Sequence, residues 1–142
     1  MTDRNAINPL ETRTDWRVYH ALVSSIASGA SASTSFNIRA HADFEIHKIS
    51  YMTDIAGAVQ TESSRVLPLV TVQITDTGAG KEFFDDPVPI PAICGTGPWP
   101  HYLPGPRRVA AKSTLQFTFY NYSAATTYAN LYLLLDGVEV YL

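Results

Sequence analysis

The sequence predicts an all-β protein, a single-domain β-sandwich or jelly roll entered by an extended N-terminal arm. Three observations predict it. Large apolar side chains recur at every second position in several short runs, the period that gathers them on one face of a strand. Between the runs stand clusters of Gly, Ser, Asn, Asp and Pro, the residues of β connections. A chain of 142 residues can bury one core and leaves little room for a second domain.

The clearest runs lie at the C-terminal end. Leu115, Phe117 and Phe119 alternate with Thr114, Gln116, Thr118 and Tyr120. After the small polar stretch Ser123 to Thr127, Leu131, Leu133 and Leu135 repeat the pattern, with Asn130, Tyr132 and Asp136 opposite. The spacing predicts two long antiparallel strands joined as a hairpin, with one face covered by a second sheet. Past Asp136-Gly137 the apolar positions shift to Val138 and Val140, which predicts a bulge at the glycine and both valines in the core.

Taken from the start, residues 1–14 are polar and aperiodic, interrupted by Pro9, and form the arm; residues 15–142 form the domain. Asp15 to Ala27 fits a strand through Trp16, Val18, His20 and Leu22, and a helix nearly as well through Trp16, Tyr19, Val23 and Ile26. The strand is preferred, because the small-residue run Ser28 to Ser33 is poor helix-end chemistry and good turn chemistry. Thr34 to Ile38 is a short strand. Ala42 to Tyr51 is a longer one, its phase breaking near Lys48 as at a bulge. Residues 53–66 read as a polar loop. Val70, Val72 and Ile74 mark a strand closed by the turn Asp76 to Gly80. Asp86 to Pro106 holds seven of the nine prolines and reads as a stiff loop, since fixed φ angles lower the entropy lost on ordering. Lys112-Ser113 is a turn.

Composition bounds the partners. Charged residues make up only 16% of the chain, below the usual quarter, which suits a surface shared with neighbours as well as it suits a Thr-, Ser- and Tyr-rich β domain. A net charge of −3 gives no reason to expect nucleic acid or an anionic membrane as partner. The lone Cys94 allows no intrachain disulfide and no cysteine-based metal cluster, and reads as a small buried hydrophobe. Neither an apolar leader nor a run of transmembrane length is present, so synthesis in the cytoplasm is expected.

Few residues suggest chemistry. His41, Asp43, Glu45 and His47 alternate on one strand and so share a face, where His41, Glu45 and His47 are the candidate ligands for a cation. Neighbouring members stand roughly 6–7 Å apart, so other ligands would have to come from His20 or His101, and a solvated strand face explains the same pattern. Gly78-Ala79-Gly80-Lys81 lacks the earlier glycine of a phosphate loop, and Gly95-Thr96-Gly97 runs into Pro98. No catalytic residue and no cofactor is expected. Trp99, Tyr102, Arg107 and Arg108, in and beside the proline-rich loop, are the candidate contacts for another protein, with core packing under the sandwich end the leading fate of Trp99 and a sugar platform the other use of the aromatics. Asn121-Tyr122-Ser123 is a formal glycosylation sequon.

Several segments resemble a group of tailed-bacteriophage virion proteins: Ala42-Asp43-Phe44-Glu45-Ile46 with Ile49-Ser50-Tyr51, Val72-Gln73-Ile74-Thr75-Asp76, Phe84 to Pro89, Leu103-Pro104-Gly105-Pro106-Arg107, Ser113-Thr114-Leu115 and Asp136-Gly137-Val138. Over residues 15–142 the chain is most similar to the small jelly-roll cement, or head-decoration, proteins of HK97-type capsids, those of the Bordetella phage type in particular. The resemblance implies a non-enzymatic protein of the virion surface that bridges major capsid protein subunits against the pressure of packaged DNA. It also implies self-association, with a dimer favoured over a trimer. Related sandwiches serve in tails and fibres, so a carbohydrate- or receptor-binding module is the alternative, and a cupin-like metal-binding protein a third.

Overall fold

A computed structural model describes residues 14–57, 67–96 and 100–141. Nearly all of the arm and Trp99 lie outside the described residues. Among the described residues, nine strands and one short helix follow in order: β1 (Thr14–Ile26), β2 (Ser31–Asn37), β3 (Ala42–Ile55), β4 (Val70–Asp76), β5 (Lys81–Glu82), β6 (Val88–Pro89), α1 (Ile90–Ile93), β7 (His101–Val109), β8 (Thr114–Asn121) and β9 (Tyr128–Tyr141). They form two antiparallel sheets. Sheet A has the order β1-β9-β3-β7; sheet B has the order β2-β8-β4-β5, with β6 also paired to β4. This is a β-sandwich, and the order is the one obtained by winding a long antiparallel hairpin into two layers, the jelly-roll path.

Alternation decides what lies between the layers. Leu115, Phe117 and Phe119 of β8, and Val70, Val72 and Ile74 of β4, are fully buried from sheet B. Phe44, Ile46 and Ile49 of β3 and Leu131, Leu133 and Leu135 of β9 meet them from sheet A. Tyr19, stacked on Phe36 at 5.0 Å and edge-on to Phe44 at 4.7 Å, closes the seam between β1 and β2. Cys94 is buried, and desolvation pushes its thiol up to about 12.

The expected C-terminal hairpin is not formed. β8 and β9 lie in opposite sheets, each between two other partners. The Ser123–Thr127 link crosses the sandwich, held by the buried Asn121, whose amide donates to the carbonyl oxygens of Ile26 at 3.0 Å and Thr126 at 2.8 Å. The sequon asparagine is thus a structural brace. Nor is Ser28 to Ser33 all turn: the reversal is made around Gly29, at φ 72°, and β2 begins at Ser31. The proline-rich stretch is also less uniform than expected, since it contains β6, α1 and the first two thirds of β7.

The bulge near Lys48 is present, and it explains Gly137. Ile46 pairs with Gly137 and Lys48 with Asp136, so His47 is the extra residue of β3. A Cβ on Gly137 would strike the Glu45 carbonyl group, oxygen first, its carbon at 2.8 Å, so only glycine lets the bulged strand approach. The expected phase change in β9 does not occur there. Gly137 and Glu139 continue the inward parity of Leu135; Val138 is half-buried and Val140, though buried, pairs with Asp43 on the outward side. Asn130, at φ 50°, takes up the opposite slip in register, between Met52 and Asp54. On its other side β3 meets β7, where Arg107 pairs with Ile46 and Tyr102 with Lys48. Leu103 to Pro106 therefore loop out opposite His47.

Candidate functional site

The outward face of sheet A is the unusual surface of the molecule. Directly paired residues share a face, so the registers place Trp16 beside Val138, then Val18, Asp136, Lys48 and Tyr102 in one row across all four strands. His20, Leu134 and Ser50 make the next row, and Leu22, Tyr132 and Met52 the one after. An antiparallel strand of a sandwich ordinarily alternates apolar inward with polar outward. Here β1 and β9 are apolar on both sides. Trp16 is 73% exposed, Tyr102 65%, Met52 56% and Leu22 38%.

At one end this face deepens into a groove of about 390 Å³, walled by Trp16 and Tyr102 and lined by His47, Lys48, Asp136 and the looped-out Leu103 to Pro106. The walls are held in place. The indole Nε1 of Trp16 donates to Asp136 Oδ1 at 2.8 Å. Lys48 Nζ lies 3.5 Å from Asp136 Oδ2 and 5.6 Å from the centre of the Tyr102 ring, an ion pair and a cation–π contact from one ammonium. A chain of contacts thus ties both exposed aromatics to a floor holding one carboxylate and one ammonium. Trp16 and Tyr102 sit on strands three spacings apart, roughly 14 Å. The arrangement offers two flat apolar faces with hydrogen-bonding groups between them. It can grip a protein surface or a short row of sugar rings.

A second groove of about 370 Å³ opens on the other side of Leu103 to Pro106, lined by Ile49, Phe83, Phe84, Ile93 and Arg107. Arg107 lies over the Phe83 ring at 3.9 Å, so this candidate contact residue seals the gap between the sheets. Arg108 is tied to Asp43, Nε to Oδ2 at 2.9 Å, and Asp43 also accepts the Ala111 N–H at 2.8 Å. Of the three predicted contact residues that are described, Tyr102 belongs to the exposed aromatic groove and Arg107 and Arg108 do not; Trp99 lies outside the described residues.

The histidine and carboxylate set is split up. Glu45 and His47 are paired at 3.0 Å beside the bulge. His41 turns to the end of the sandwich, stacked on Tyr141 at 5.4 Å and 3.9 Å from Glu139. Among the described residues no three His, Cys, Asp or Glu side chains are grouped to hold a metal ion. The end of the sandwich instead carries a buried charge that the alternation did not suggest. Glu139, 2% exposed, takes a hydrogen bond from Arg17 Nε at 2.9 Å, with Arg39 Nε at 3.9 Å. The Tyr141 hydroxyl donates to Asp15 at 2.6 Å and lies 3.3 Å from Glu139; the bond to Asp15 raises its pKa above the ordinary tyrosine value.

Trp16, Lys48 and Asp136 were not legible as site residues. The available signal was parity: Trp16, Val18 and Leu22 share one phase while Ala21 and Val23 hold the other, so apolar residues occupy both sides of one strand. No protein-family model, curated protein or solved structure matches this chain.

Proposed function

We propose that this protein is a non-enzymatic virion component that binds the outer surface of an HK97-type phage capsid and cements neighbouring major capsid protein subunits. The observation that carries the reading is the outward face of sheet A, where Trp16, Leu22, Met52 and Tyr102 stand exposed on one four-stranded layer. An apolar patch of this kind on a small domain marks a surface meant to be covered. Two further features support it: the low charge content and the likeness of several segments to jelly-roll cement proteins. Repetition over a shell turns a modest contact into a strong one by avidity. The test is sedimentation of intact particles. The protein is expected in a fixed ratio to the shell subunit, and particles stripped of it are expected to burst sooner on heating or osmotic shock. Equal resistance of stripped and complete particles defeats the reading.

The groove between Trp16 and Tyr102 favours a second reading, a carbohydrate-binding module of a tail or fibre. Its two ordered aromatic walls, a few sugar widths apart with Asp136 and Lys48 between, suit an oligosaccharide. Binding on a glycan array that disappears in both Trp16→Ala and Tyr102→Ala selects this reading; an empty array removes it.

A further inference from the structure

Each sheet of a sandwich ends in strands whose outer backbone groups have no neighbour, and natural proteins guard such edges with charge, proline, bulges or very short strands. Most edges here are guarded. In sheet A, β7 loops out over Leu103 to Pro106, with two prolines, and continues into Arg107 and Arg108. At the opposite edge β1 carries Asp15 and the inward-pointing Arg17. The far side of sheet B is closed by the two-residue strands β5 and β6, with Lys81, Glu82 and Pro89.

The remaining edge, β2, has none of these. Its seven residues, Ser-Ala-Ser-Thr-Ser-Phe-Asn, contain no charge, proline or glycine, and their register against β8 runs unbroken from end to end. The phase of that ladder shows which groups are left over. Ile38 N–H donates to the Ser113 carbonyl and Asn121 N–H to the Ala30 carbonyl. Hydrogen-bonded residues alternate along an antiparallel strand, so Ala32, Thr34 and Phe36 bond to β8. Ser31, Ser33, Ser35 and Asn37 turn their N–H and C=O groups to the other side, where no strand among the described residues pairs with β2, and all four are exposed.

The geometry points to β2 as a seam for a second copy of this chain, added antiparallel across a two-fold axis so that the two sheets B become one layer. A second copy fits because the strand is complementary to itself. An axis through Thr34 engages all seven residues: Ser33 meets Ser35 of the second copy, Ser31 meets Asn37, and Thr34 meets its own counterpart. That register joins open residues to open residues. Although each chain has a net charge of −3, no charged side chain of β2 faces its equal. Edge pairing alone buries less than the roughly 1,200–2,000 Å² of a standard stable interface, so the dimer is weak when dilute and firm where copies are crowded. Crowding on a shell rests on the proposed function; the seam itself does not, and its test uses purified protein.

Thr34 occupies a pair whose Cα atoms come within about 4.5 Å, inside the range a disulfide spans. Cys94 is buried with its thiol pushed up to about 12, so it stays out of the reaction. Mild oxidation of concentrated Thr34→Cys protein is expected to give a covalent dimer, far above a Thr118→Cys control on the outward face of β8. Adding Ser33→Pro, which removes an edge donor from each copy and suits an edge strand, should cut the yield at least about tenfold, since the two-fold axis makes the loss two net hydrogen bonds per dimer. Ser33→Lys, which leaves the backbone intact, should also lower it. No dimer above the control, or a yield unmoved by both Ser33 variants, overturns the seam. Cross-linking through Ser33→Cys in preference to Thr34→Cys overturns the register.

Discussion

The two sheets of this sandwich bury the same kind of inner face and show the solvent opposite ones. Outward from sheet B stand Ser31, Ser33, Ser35 and Asn37 on β2, Gln116, Thr118 and the exposed Tyr120 on β8, and Thr71 and Thr75 on β4, while Gln73 on the same face is covered and bonded to Phe84. Outward from sheet A stand Trp16, Val18 and Leu22 on β1, Tyr132, Leu134 and Val138 on β9, and Met52 and Tyr102 on β3 and β7. The core asks only that one parity be apolar, and both sheets meet that demand. The outward parity is free of it, so what stands there reports what each face meets. Hydroxyls and amides suit water; aromatic and aliphatic side chains held in place by Asp136 and Lys48 suit a partner.

The comparison is most easily destroyed at Gly137, because the bulge that shapes the outward face of sheet A depends on it. In Gly137→Ala the new methyl meets backbone, which cannot swing aside as a side chain can. A loss of more than about 4 kcal/mol is expected by urea unfolding, comparable to emptying the core with Phe117→Ala, at about 3–5 kcal/mol. If Gly137→Ala unfolds like the parent, the close approach of β3 to β9 is not as described.

Next in size is Arg17→Met. It leaves the Glu139 carboxylate buried beside Arg39 and His41, neither of them closer than 3.9 Å. Removing one partner of a buried pair costs about 3–5 kcal/mol, most of it from the charge left behind. The partial cover from Arg39 puts the expected loss near about 3 kcal/mol. The double variant Arg17→Met with Glu139→Leu should recover most of that loss. A double variant as unstable as the single one shows that the pair does more than neutralise itself.

A smaller effect separates core from surface at Cys94. Burial raises the folded-state pKa of the thiol from 9.0 to about 12, so folding favours the protonated form. The contribution is complete below about pH 9 and is lost as the pH rises towards 12. At pH 8 the native protein is expected to resist a thiol reagent that reacts at once after unfolding in urea. Rapid reaction without denaturant contradicts the burial.

These residues also mark what could be read from sequence. Period two identified the inner face of β8 and of β9, because Leu115, Phe117 and Phe119 on one and Leu131, Leu133 and Leu135 on the other recur at alternate positions and so share one side. It could not say that the two strands face each other and do not pair, since both arrangements have the same period. Which one forms depends on Asn121, whose amide holds the crossing link to Ile26. The break near Lys48 was legible as a bulge. Its counterpart at Gly137 was read on the wrong strand, because a glycine needed by a neighbour's bulge looks like one needed for its own. Placing Val138 and Val140 in the core leaves Glu139 between them no inward place, yet it points inward: its partner Arg17 is 122 positions away, and nothing local shows that an inward carboxylate is neutralised.

The finest test sets the two outward faces directly against each other. Leu22→Asp with Met52→Asp places two carboxylates on sheet A; Gln116→Glu with Thr118→Glu places two on sheet B. All four positions are exposed, so both double variants should unfold within about 0.5 kcal/mol of the parent. Only the first should lose its place on particles, because an apolar partner surface cannot solvate the new charges while water can. The asymmetry is the measurement, since equal stability removes misfolding as a cause. If both variants still co-sediment, the aromatic and aliphatic face is not the one that docks. If the sheet B variant alone is lost, the Ser- and Thr-rich layer lies against the shell, and the exposed residues of sheet A point away from it.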